Sequence, residues 1–154
     1  MFAIKLARLI ENHADELSER LMQKLTTSGR CSELINEVPP YELKRRSREI
    51  YTHLTDWLMT RTESEIEDKY FGLGARRGRQ GVPFTQVLWA ICATKELLWE
   101  YLLRQGMFED PVDFYGGMEL LHEVAQFFDS TLYYAGTGYE STRKAEVKHV
   151  LSAH

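Results

Sequence analysis

Cysteine is scarce here: Cys31 and Cys92 are the only two in 154 residues. Two isolated thiols build neither a disulfide framework nor a zinc cluster, and Cys92 falls in an apolar helical pattern as a small core residue. Proline is limited to four positions, 39, 40, 83 and 111. No run of about 18 apolar residues exists, so no membrane span is expected. The first residues, Met-Phe-Ala-Ile-Lys-Leu-Ala-Arg-Leu-Ile, are interrupted by charge and followed by Glu11, His13 and Asp15. That is not a secretory signal, and a cytoplasmic location is expected. Strand-like alternation, internal repeats and low-complexity segments are also missing. The net charge of -4 gives no general attraction to nucleic acid. Neither nucleic acid nor a membrane is therefore an expected partner.

The glycines of Gly72-Leu-Gly-Ala-Arg-Arg-Gly-Arg-Gln-Gly-Val-Pro-Phe84 do not form a nucleotide loop. A Walker loop needs Gly-Lys-Ser/Thr to neutralise phosphate and hold magnesium, and none occurs. A dinucleotide fingerprint needs a preceding strand and Gly-x-Gly-x-x-Gly. Gly72, Gly74 and Gly78 have the wrong last spacing, and Glu63–Phe71 is acidic and helix-like. The stretch reads instead as a helix end, a turn and a second helix. Gly74, Gly78 and Gly81 share one helix face, which allows close helix packing. Gly81 can end the helix, and Pro83 suits the first turn of the next.

With 44% hydrophobic residues, the chain suits one domain that buries about 70% of its unfolded surface. The periodicity predicts an all-α bundle of about five helices, up-down with short connections. The first spans 2–27, with Leu6, Ile10, His13, Leu17, Leu21 and Leu25 on one face, and Ser28-Gly29 ends it. A connection over 30–40 holds a short helical turn at Ser32–Asn36. Pro39-Pro40 opens a second helix over 41–61. Thr62 or Ser64 caps a third, with Glu65 or Glu67 closing a capping box. Pro83 opens a fourth, ending at Arg104 before Gln105-Gly106. Asp110-Pro111 restarts the chain. The fifth helix carries a heptad seam of Phe114, Met118, Leu121, Ala125, Phe128, Leu132 and Ala135, read as bundle core as far as Ala125. Gly136 and Gly138 end it. The domain is then 1–138, with 139–154 a tail or connector helix.

Candidate chemistry is sparse. Glu119-Leu-Leu-His122 matches half of a di-metal motif, whose full site also needs matching glutamates on two further helices. His13 in the first apolar stripe, and His53 in the second helix, are the positions a haem iron could use. A haem- or metal-binding, globin-like sensor is therefore the alternative reading. Lys44-Arg-Arg-x-Arg48 and Arg76-Arg77-x-Arg79 are basic clusters without interleaved stacking aromatics. They read as solvated faces paired with Glu42, Glu49 or the 63–68 acidic run. Arg77 differs, because a buried arginine beside the tight face needs a carboxylate partner or an anionic ligand. Trp89, Trp99, Tyr101, Tyr133 and Tyr134 could line a small-molecule pocket. No nucleophile-elbow sequence occurs. No catalytic residue, metal or cofactor is assigned.

Arg77-Gly-Arg-Gln80-Gly81-Val-Pro83, followed by the Phe84–Leu103 helix, resembles the N-terminal domain of RsbT co-antagonist (RsbRD-like) bacterial signalling proteins. The pattern is Arg-x-x-Gln-Gly and a step into an amphipathic helix. The long first helix and the Tyr41–Met59 helix also fit, and a looser resemblance covers about 6–135. It implies an all-α signal-input or protein-interaction domain of a regulatory system, without catalytic residues or an established ligand. These residues include no following sulfate-transporter/anti-sigma-antagonist, kinase or DNA-binding domain. A stand-alone relative or an excised domain is expected, without direct participation in a stressosome.

From these readings Arg77, Gln80, Gly81 and Gly78 form a ligand-binding or structural corner. A homodimer is expected through the aromatic half of the fifth helix: Phe127, Phe128, Leu132, Tyr133 and Tyr134. A regulatory protein is the other expected partner.

Overall fold

A computed structural model describes residues 2–104 and 111–153. Eight helices are found there, and no strand among the described residues. They are α1 Phe2–Asn12, α2 Ala14–Thr27, α3 Ser32–Glu37, α4 Pro40–Thr52, α5 Leu54–Met59, α6 Glu63–Arg79, α7 Phe84–Arg104 and α8 Pro111–Ser152. The all-α class holds, and the count of about five does not. The stop at Gln105-Gly106 and the Asp110 cap lie outside the described residues.

Two of the extra helices come from breaks at histidines. His13 separates α1 from α2 with φ -110° and ψ 18°. His53 separates α4 from α5 with φ -112° and ψ 26°. Both occupy the sparsely used bridge region between helix and extended backbone. The second break is supported from outside: the Thr55 amide donates to Glu11 Oε1 of α1 at 2.7 Å. A side chain from another helix thus satisfies a donor left open at the start of α5. The apolar stripes run straight through both breaks, so periodicity alone reports two long helices.

The opposite error occurs in α8. Gly136 and Gly138 were expected to end a helix, yet α8 continues through both for 42 residues, about 63 Å at 1.5 Å per residue. Gly138 is instead a point of contact. A Cβ there would overlap the carbonyl oxygen of Phe71 on α6. Reciprocally, a Cβ on Gly74 of α6 would overlap the carbonyl oxygen of Ala135, and one on Gly78 would meet Thr142 Oγ1. The two helices meet backbone to backbone, which only glycine permits. Each mid-helix glycine costs about 1 kcal/mol in propensity, and the close approach offsets it.

α8 is the centre of the bundle and packs against α1, α5, α6 and α7. Its buried side includes Leu120, Leu121, Val124, Phe127, Phe128, Thr131 and Ala135. Met118, expected in the core, is 47% exposed. The seam predicted from Phe114 is therefore displaced, because four neighbouring helices bury a wider arc than a single partner would. Trp57, Tyr70 and Phe127 form an aromatic cluster with centroids 5.8–6.0 Å apart. Each buried aromatic there removes 150–250 Å² from water.

Candidate functional site: the Arg77 corner

The α6 C-terminus shows why Gly81 stands where it does. Gln80 is the C-cap, and Gly81 has φ +75°. The Gly81 amide donates to the Gly78 carbonyl at 3.1 Å, and the Val82 amide to the Arg77 carbonyl at 3.1 Å. This pair of bonds is a Schellman motif, whose left-handed residue is usually glycine. Nothing lies within 4 Å of a Cβ built on Gly81. Gly81 therefore serves the turn, whereas Gly74 and Gly78 serve the tight face; the grouping of all three on one packing face is corrected to two. Val82 is fully buried, and its carbonyl accepts from Tyr139 Oη of α8 at 2.6 Å.

Arg77 points into the protein from α6 and is 3% exposed. Its Nη1 donates to Glu42 Oε1 at 2.9 Å and to Gln80 Oε1 at 2.8 Å. Glu42, in the first turn of α4, is fully buried. Arg76 closes the other side of the same carboxylate, with Nε to Oε1 at 2.6 Å and Nη2 to Oε2 at 2.9 Å. The Arg76 hydrogen bonds hold the Glu42 carboxyl down at about 2, burial opposes them, and Arg77 adds to the lowering. Burial lowers the Arg77 guanidinium from its ordinary value, and Glu42 works against that. Two arginines, Arg77 buried and Arg76 partly exposed, on one buried carboxylate give a net positive cluster joining α4, α6 and the α6–α7 turn. The partner of Arg77 thus comes from α4. The 63–68 acidic run is used elsewhere: Glu65 pairs with Arg61, and Glu63 accepts from Tyr134 Oη at 2.6 Å.

Behind Arg77 lies a cavity of about 80 Å³. Aliphatic side chains from α2, α3, α4, α6 and α7 wall it, together with Arg46, Ser47, Arg77 and Thr94. None of Trp89, Trp99, Tyr101, Tyr133 and Tyr134, which could have lined a pocket, lines it. Arg46 also borders an open basic groove with Lys44, Arg45 and Arg48. The Arg46 Nε is buried and has no hydrogen-bond partner. Sequence reasoning missed Arg46, since nothing in a surface-like Lys-Arg-Arg run tells which member turns inward.

The metal-candidate residues sit elsewhere. His13 Nδ1 lies 2.9 Å from the Leu9 carbonyl oxygen, and its ring centroid is 5.4 Å from that of Tyr101. His53 is exposed at the α4–α5 junction, and Glu119 and His122 are exposed on α8. Among the described residues no group of three His, Cys, Asp or Glu side chains could hold a metal ion. Of the expected interface residues, Phe127 and Phe128 are 5% and 0% exposed within their own chain, so neither offers surface to a partner. Leu132 packs partly against the core. Tyr134 is half-buried and tied to Glu63, while Tyr133 is 68% exposed. No helix among the described residues is long and apolar enough to cross a membrane.

The family described as RsbT co-antagonist protein rsbRD N-terminal domain matches residues 15–149. No curated protein and no solved structure matches the chain.

Proposed function

The chain belongs to the family of RsbT co-antagonist protein rsbRD N-terminal domains, and on that premise we propose a non-catalytic, cytoplasmic signal-input domain of a bacterial regulatory system. The observation that carries the reading is the seating of α8. The helix forms the core of the bundle and is clamped to α6 through glycine contacts. Past Thr142 it continues with every residue from Arg143 to Ala153 exposed. Arg77 and Glu42 link α6 to α4. A change at the Arg77 corner therefore reaches the projecting end of α8 through contiguous, closely packed backbone. Such packing transmits small shifts poorly damped.

The output is a homodimer that presents this helix to a regulatory protein. On α8, Tyr133, Val147 and Leu151 stand 14 and 4 residues apart, close to one helix face, and all three are exposed. That apolar line replaces Phe127 and Phe128 as the dimer surface. Light scattering of the purified chain is expected to give twice 18.0 kDa. Calorimetry against any kinase or anti-sigma protein encoded beside it is expected to show binding. A monomer that binds no neighbouring regulator would overturn the proposal.

A further inference from the structure

We propose that the cavity behind Arg77 is a binding site for short-chain aliphatic carboxylates, with the carboxylate on Arg46 and the alkyl tail among the leucines. This deepens the signal-input reading, and rests on it only for what the binding is for.

Size decides the tail. An enclosed site of about 150 Å³ takes benzene, so about 80 Å³ takes roughly three carbons. Propionate, butyrate and similar acids fit, whereas ring-sized or longer guests do not. The walls fix its chemistry: Leu21, Leu25, Leu34, Ile50, Val87 and Ile91 are all aliphatic, which favours an alkyl chain over a polar one.

The free hydrogen-bonding capacity decides the head. Ser47 Oγ already donates to the Leu43 carbonyl at 2.7 Å, and Thr94 Oγ1 to the Ala90 carbonyl at 2.8 Å. Arg77 Nη1 is held by Glu42 and Gln80. Arg46 alone among these four keeps a buried donor without a partner, its Nε. A buried, unpaired guanidinium N–H is costly, and an anionic acceptor answers it with a charge-assisted bond. Arg46 is half-exposed and stands where the cavity meets the basic groove of Lys44, Arg45 and Arg48. A carboxylate there keeps contact with water, so its full desolvation is avoided. The groove's like charges raise the local concentration of anions. An ammonium gains neither interaction, and a neutral alcohol makes the weaker bond to Nε and gains nothing from the groove's charge.

Binding would also touch the signalling corner directly. The tail would fill the space beside Arg77 and Leu73 of α6, the helix that grips α8.

Thermal unfolding and calorimetry of the purified chain test the site with sodium butyrate, against equal sodium chloride. Saturating butyrate is expected to raise the melting temperature by about 5 °C, since a ligand of the native state alone stabilises it. Sodium benzoate, n-butylammonium chloride and 1-butanol are expected to leave it within about 1 °C. Arg46→Gln, at a half-exposed position, is expected to fold and bind butyrate at least about tenfold more weakly. Ala90→Leu places a side chain in the cavity and should melt higher without ligand while losing the butyrate response. Should that variant fail to fold, Val87→Ile adds one methylene to the same wall and gives the same readout. No shift with butyrate, an equal shift with 1-butanol, or unchanged butyrate affinity in Arg46→Gln overturns the proposal. None of these results depends on whether the chain dimerises or binds a regulator, so the two readings fail separately.

Discussion

Arg77 Nη1 stands 2.9 Å from Glu42 Oε1, 35 residues back in the chain, with both side chains buried. Removing one member leaves a buried charge unpaired, which typically costs 3–5 kcal/mol. The two members are not equivalent, because Arg76 also binds Glu42. Glu42→Gln strands Arg77 and is expected to cost about 3–5 kcal/mol in denaturant unfolding. Arg77→Leu leaves Glu42 paired with Arg76 and is expected to cost clearly less. Equal losses in the two variants would contradict the assigned network.

The same carboxylate makes stability depend on acid. Its folded value is depressed from 4.5 to about 2, so its contribution is fully present above pH 4.5 and is lost as pH falls towards 2. The contribution is of the order of 3 kcal/mol. Urea unfolding of the native chain should weaken through this window. Glu42→Gln should show a shallower dependence over it, and an unchanged slope would assign the acid sensitivity to other carboxylates.

The glycines separate into four kinds of expected outcome. Gly74→Ala and Gly138→Ala drive a methyl into backbone carbonyls, and each should cost more than about 3 kcal/mol. Gly78→Ala meets the Thr142 side chain, which can rotate, so its cost should be smaller. Gly81→Ala has open space but a positive φ of 75°, and should cost about 1–2 kcal/mol from backbone strain alone. Gly72, inside α6 with nothing within 4 Å, should gain about 0.5–1 kcal/mol as alanine. Chemical denaturation of the five variants checks both order and sign.

The exposed α8 face gives the last expectation. Tyr133→Glu with Leu151→Glu should convert a dimer to a monomer in light scattering while leaving the melting temperature of the bundle nearly unchanged, because both side chains are exposed at 68% and 71%. Persistence of the dimer would place the interface on another surface.

Much of the corner was legible in the sequence. Arg77, Gln80, Gly81 and Pro83 marked a helix end and a restart because capping chemistry is local: a positive φ needs glycine, and proline suits a first turn. Thr62 also caps α6 as its sequence suggests, with its side chain accepting from the Glu65 amide. What escaped was non-local. Glu42 was named among the partners of the basic clusters, but on a solvated face; only the fold brings α4 onto α6 and makes it the buried partner of Arg77. Arg46 was one of four basic residues in a row, and packing alone turns its Nε inward.

By itself, then, the sequence determined the helical class and the turn at Gly81, through periodicity and local dihedral requirements that act within a few residues, while the Arg77, Gln80 and Gly81 motif carried the family resemblance. Tertiary structure decided where helices break and where they do not. Glu11 from α1 supports the start of α5 by binding the Thr55 amide, and α8 runs through Gly136 and Gly138 with α6 in close approach at Gly138. A glycine's propensity says only that a helix is weaker there by about 1 kcal/mol. Whether it stops is settled by what packs against it.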